Sequence, residues 1–85
     1  MKFDELASAT LPHDVHRAVV EVLTPRWKGA RIYMPANIRR RPRNPPLCAA
    51  ERFANEMCRA VVDSGGHPAQ AEELLTALSA GYFWV

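Results

Sequence analysis

The chain has 85 residues, 48% of them hydrophobic, with two cysteines and a formal net charge of +2, so one small intracellular globular domain is expected and most enzymes that need a large cleft are excluded. The charge total conceals an asymmetry: no acidic residue lies between Glu21 and Glu51, a window that holds Arg26, Lys28, Arg31, Arg39, Arg40, Arg41 and Arg43. The other four basic residues stand against all nine acidic ones, leaving the rest of the chain at −5.

No run of eighteen apolar residues exists, and Lys2, Asp4, Glu5, Asp14 and Glu21 interrupt the start of the chain. Neither a membrane span nor a secretory signal is expected, and a cytoplasmic location follows. Cys48 and Cys58 are ten positions apart within one expected helix. That is roughly 15 Å of rise, too far for a disulfide within the chain.

In chain order, residues 1–10 have weak periodicity and are expected as an N-terminal arm, either a short helix or frayed. Leu11, Val15, Ala18, Val19, Val22 and Leu23 recur at helical spacing, predicting a helix over 11–24 that Pro25 ends by pushing Thr24 out of the α region. Residues 30–34 alternate at period two, with Ala30, Ile32 and Met34 on one side and Arg31 and Tyr33 on the other, which predicts a strand closed by Pro35. A lone strand must pair. Residues 1–6 are a poor second strand, so pairing with the same strand of another copy is expected, with Ile32, Tyr33 and Met34 at the dimer interface.

Residues 35–46 form a proline-punctuated basic arm. Asn44 and Pro45 then suit an N-cap and first helical position, and the stripe Leu47, Ala50, Phe53, Ala54, Met57, Val61 predicts a helix over 47–64 stopped at Gly65-Gly66. Pro68 opens a further helix over 68–80, with Ala71, Leu74, Leu75 and Leu78 inward and Glu72 and Glu73 near its positive end. Residues 81–85 are an aromatic tail, expected to fold back onto the core or to cover a partner. The expected fold is mainly α with one β-strand: three helices and a strand paired across a homodimer axis.

The chemistry available to this pattern is binding. Arginine grips phosphate bidentately and stays charged, so Arg39, Arg40, Arg41 and Arg43, with Arg31 and Lys28, are candidate contacts to a nucleic-acid backbone or an acidic partner. Glu72, Glu73 and Trp84 are candidate contacts to a protein partner. His13 and His16 lie three apart, but no cysteine or carboxylate cluster completes a metal set. The serines and cysteines lack a motif that places a base beside them, so no enzyme, metal or cofactor is expected.

The segment Gly29-Ala30-Arg31-Ile32-Tyr33-Met34-Pro35, preceded by an amphipathic helix and followed by basic residues, resembles the Gly-x-x-Ile-Tyr-Ile-Pro segment of the phage Mu middle operon regulator (Mor) family of transcription activators. Gly29, Ile32, Tyr33 and Pro35 carry over and Met34 is a conservative departure; the resemblance spans about residues 11–43. It implies an intertwined dimer whose strands pair across the two-fold axis, and a downstream helix-turn-helix that binds DNA. The second half departs from this pattern: the would-be recognition helix offers Gln70, Glu72, Glu73 and Thr76 and no Lys or Arg, and phosphate repels such a helix. DNA contact is therefore expected at the basic strand and arm. Two further readings stay open: a non-enzymatic, anti-CRISPR-like phage inhibitor that blocks a host protein complex, and a protein that poisons a full-length relative by forming mixed dimers.

Overall fold

The computed structural model describes residues 1–38 and 48–85. Helix α1 (Phe3–Thr10) buries Phe3 and Ala7, one turn apart, and carries Asp4 and Glu5 in its first turn, where the helix dipole favours negative charge. Of the two forms open to the N-terminal arm, it is the short helix that forms, over most of its length. Helix α2 (His13–Trp27) buries Val15, Val19 and Leu23 at four-residue intervals. His16 reaches back to α1, its Nε2 lying 2.6 Å from Asp4 Oδ1.

Helix α2 does not stop at Thr24. It runs through Pro25 to Trp27, and the Lys28 N–H still reaches the Thr24 carbonyl at 2.8 Å. Tertiary bonds offset what proline removes: Glu56 accepts two bonds from Arg26 (2.7 and 3.1 Å) and one from Trp27 Nε1 at 3.0 Å. The local rule lost to packing in the last turn.

Strand β1 (Arg31–Met34) and strand β2 (Gly81–Trp84) pair antiparallel in the register Arg31↔Trp84, Ile32↔Phe83, Tyr33↔Tyr82, Met34↔Gly81. This corrects the expectation of a single strand: the aromatic tail folds back onto the core, and does so as a second strand. The partner that the lone strand required is supplied by the chain itself, across about fifty positions of sequence. Ala80 delivers β2 into register: its N–H bonds the Met34 carbonyl at 2.7 Å, and its φ of +62° turns the chain out of the preceding helix. The start of the chain borders the other edge of β2, where the Trp84 N–H donates to the Met1 carbonyl at 2.9 Å.

Helix α3 (Ala49–Asp63) carries the most apolar inner face, with Ala50, Phe53, Ala54, Met57, Ala60 and Val61 buried. It ends in a Schellman arrangement: Gly66 N–H bonds the Val61 carbonyl at 2.8 Å, Gly65 N–H bonds the Val62 carbonyl at 3.1 Å, and Gly65 holds φ +92°. At Gly66 even a Cβ would stand 2.9 Å from the Val61 carbonyl oxygen, so a side chain there forces the turn to shift. Helix α4 (Pro68–Leu78) is capped by His67. Its Nδ1 accepts from Ala69 N–H at 3.0 Å, while Gln70 Oε1 accepts from the His67 N–H at 2.9 Å.

The described residues thus form four helices and a two-stranded sheet, one helix and one strand more than the sequence reading expected. The core centres on Phe53, which is fully buried. Its ring lies 5.1 Å from Phe3, 5.1 Å from Phe83 and 5.3 Å from Trp27. These four aromatics come from α1, α2, α3 and β2, so a single ring cluster fixes one face of the sheet onto three helices.

Candidate binding face

A two-stranded sheet has two faces, and here only one is used for folding. Alternation sends Ile32, Met34 and Phe83 into the core, where they are 4%, 0% and 0% exposed. Their neighbours Arg31, Tyr33, Tyr82 and Trp84 must then share the outer face. All four are exposed, with Tyr33 at 48%, Tyr82 at 51% and Trp84 at 42%. Three large aromatic rings in water on one small surface are uncommon enough to mark it.

The four side chains form a square of two rungs, Arg31 opposite Trp84 and Tyr33 opposite Tyr82. The Arg31 guanidinium lies across it, its Cζ 4.2 Å from the centre of the Tyr82 ring and 5.2 Å from that of Trp84. Tyr33 and Tyr82 are tilted at 59° with ring centres 5.0 Å apart. Contact with the ring quadrupoles holds the guanidinium in place while leaving its charge unneutralised by any carboxylate of the two strands, which contain no acidic residue. Lys28, exposed at the C-terminal cap of α2, adds a further positive charge one short turn before β1.

The residues singled out from the sequence fall in four places. Arg31, Tyr33 and Trp84 come together on this face. Ile32 and Met34, expected at a dimer interface, have their side chains in the core of the single chain, because the pleat that exposes Tyr33 turns its neighbours inward. Glu72 and Glu73 are exposed on α4. Arg39, Arg40, Arg41 and Arg43, with most of the proline-rich arm, lie outside the described residues. Tyr82 was not singled out at all. In Tyr82-Phe83-Trp84-Val85 every residue is large and apolar, so no polar alternation announces which side faces water; the usable signal was the β-propensity of the run after a glycine.

Elsewhere several of the reactive groups are already engaged. A groove of about 470 Å³ between α2 and α3 has Ala18, Val22 and Ala60 along it. Its charges are paired across it or along its wall, Arg26 with Glu56 at 2.7 Å and Arg59 with Asp63 at 4.0 Å. The Arg26 hydrogen bond holds the Glu56 carboxyl below its ordinary range, against the opposing effect of partial burial, with Trp27 assisting. The Ser64 and Ser79 hydroxyls donate to the carbonyls of Ala60 and Leu75 at 2.8 Å each. Burial, with Glu72 nearby, pushes the Cys58 thiol up, which keeps it protonated and a weak nucleophile. Among the described residues no three His, Cys, Asp or Glu side chains gather as a metal site would require, and no helix is long and apolar enough to cross a membrane.

No protein family, curated protein or solved structure matches this chain.

Proposed function

We propose that this protein is a small phage-type regulator, of the kind its Gly29–Pro35 segment resembles, that binds nucleic acid through the outer face of its sheet together with the arginine run at 39–43. The observation that carries this reading is the square of Arg31, Tyr33, Tyr82 and Trp84, one stacked guanidinium among three exposed rings. Aromatic planes and arginine are the two side-chain types that hold nucleic acid without needing a groove-reading helix. In sequence the arginine run begins five positions after Met34, at the exit of β1. Helix α4, with Glu72 and Glu73 exposed, is the wrong sign for the recognition helix of an activator.

A homodimer belongs to this proposal. The Ala30 and Met34 carbonyls accept from the N–H groups of Val85 and Ala80, which flank β2, so the alternation of an antiparallel ladder turns the backbone groups of Arg31 and Tyr33 to the opposite edge. A second copy added there would continue the sheet and set two aromatic faces side by side. Light scattering that reads a monomer at binding concentrations removes this part of the proposal.

The test of the main reading is the salt dependence of oligonucleotide affinity. Changing Arg39, Arg40, Arg41 and Arg43 together to alanine should lower the slope of log K against log salt by as much as about 3. Wild-type protein with no affinity for any oligonucleotide at low salt overturns the reading. The inhibitor of a host protein complex then takes precedence, because Trp, Tyr and Arg are also the side chains that dominate protein interfaces.

A further inference from the structure

We infer that the nucleic acid taken by the sheet face is single-stranded DNA, two consecutive bases stacking on Tyr33 and Trp84 with the Arg31 guanidinium at the phosphate between them. This rests on the nucleic-acid reading above and makes it narrower. In a duplex each base is covered above and below by its neighbours, so exposed rings find no free face to stack on; only an unstacked strand offers one. A two-stranded ribbon can also enter a major groove, but it reads base edges there with hydrogen-bonding side chains. Of the four outward positions here, three are aromatic, and the one guanidinium is already laid over two rings.

The square sets how closely Arg31 engages each ring. Tyr82, though 51% exposed, holds the nearer contact with Arg31, 4.2 Å from its ring centre against 5.2 Å for Trp84, and has Tyr33 5.0 Å away on the same rung. Tyr33 and Trp84 occupy the other diagonal, 48% and 42% exposed. Diagonal neighbours on a sheet stand about 7–8 Å apart, comparable with the step between successive nucleotides in an extended strand. Arg31 shares a rung with Trp84 and is two residues from Tyr33, so its charge falls between the two stacking sites.

Binding by ring faces is tolerant of sequence, since every base has a π-face. Recognition of RNA over DNA needs polar groups aimed at the ribose 2′-hydroxyl, whereas the contacts inferred here are to base faces and phosphate. Single-stranded DNA therefore suffices as the occupant, with ribose adding nothing to affinity.

The experiment is fluorescence anisotropy of labelled oligothymidylate, oligouridylate and a duplex of equal length, titrated with the full chain. Oligothymidylate should bind at least about tenfold tighter than the duplex and no weaker than oligouridylate. Tyr33→Phe should leave affinity for oligothymidylate within about twofold, whereas Tyr33→Leu and Tyr33→Ala should each lower it by about tenfold, one stacked base being worth 5- to 150-fold. Tyr33 is half-exposed and outside the core, so thermal melting should show all three variants folded; the leucine variant keeps strand propensity should the alanine one melt early. Duplex binding as tight as the single strand, preference for oligouridylate, or equal affinity of the phenylalanine and leucine variants overturns the inference and leaves nucleic-acid binding standing. No binding to any of the three probes overturns both.

Discussion

Replacing Phe53 tests whether one aromatic cluster holds the sheet to the helices. The ring is fully buried and meets Phe3, Phe83 and Trp27 at 5.1–5.3 Å. Truncation of such a residue to alanine costs about 3–5 kcal/mol from lost transfer and the cavity left behind. A chain of this size has roughly 4–13 kcal/mol of stability in total, so Phe53→Ala removes a large part of it. Phe53→Leu keeps most of the apolar bulk but loses the ring pairs, each worth about 0.5–1.5 kcal/mol and not fully additive. About 2 kcal/mol is expected, or a fall in Tm of roughly 8–16 °C. Urea titrations of wild type, both variants and Val22→Ala measure this. Val22 is 53% exposed, and its truncation should stay within about 0.5 kcal/mol. If Phe53→Ala costs less than about 1.5 kcal/mol at unchanged m, the cluster is not the centre of the fold.

Two further outcomes follow from local geometry. Ala80 holds φ +62°, a left-handed conformation that costs a non-glycine residue about 1–2 kcal/mol; Ala80→Gly should stabilise by about 0.5–1 kcal/mol after the added entropy of the unfolded chain is subtracted, and a destabilised variant in urea would show that the turn is not strained. Glu56 titrates below its ordinary range because of Arg26 and then Trp27. Its folded-state carboxyl is the depressed one, so its contribution is present above the unfolded carboxylate range near about 4.3 and is lost as pH falls through the folded value. Glu56→Gln should therefore flatten that part of the curve of Tm against pH, and its cost at neutral pH should be about 1–2 kcal/mol from the weakened bond to the half-buried Trp27 N–H; a variant with the acid limb unchanged contradicts the assignment.

The features legible in the sequence were those written locally. The stripe through Phe53, Met57 and Val61 and the glycine pair after it marked α3 and its stop, and Pro68 marked the start of α4. Period two from Arg31 to Met34 marked β1 and separated its two faces, without saying that Ile32 and Met34 enter the chain's own core. What was hidden depended on residues distant in sequence. Pro25 reads as a helix end until Glu56 and Phe53 are brought to Arg26 and Trp27. Tyr82 to Val85 reads as a tail until β1 is there to accept it, and only then does its alternation separate Phe83 from Tyr82 and Trp84. The candidate face was half visible: Arg31, Tyr33 and Trp84 were picked out for separate roles, and nothing in the sequence placed them on adjoining rungs.

If the proposal holds, the outer face of the sheet, and not helix α4, meets nucleic acid. Amide chemical shifts recorded during titration with oligothymidylate test it residue by residue. The largest shifts should fall on Arg31 to Met34 and Tyr82 to Trp84, with Gln70, Glu72, Glu73 and Thr76 unmoved. Shifts concentrated on α4, with the two strands unmoved, contradict it.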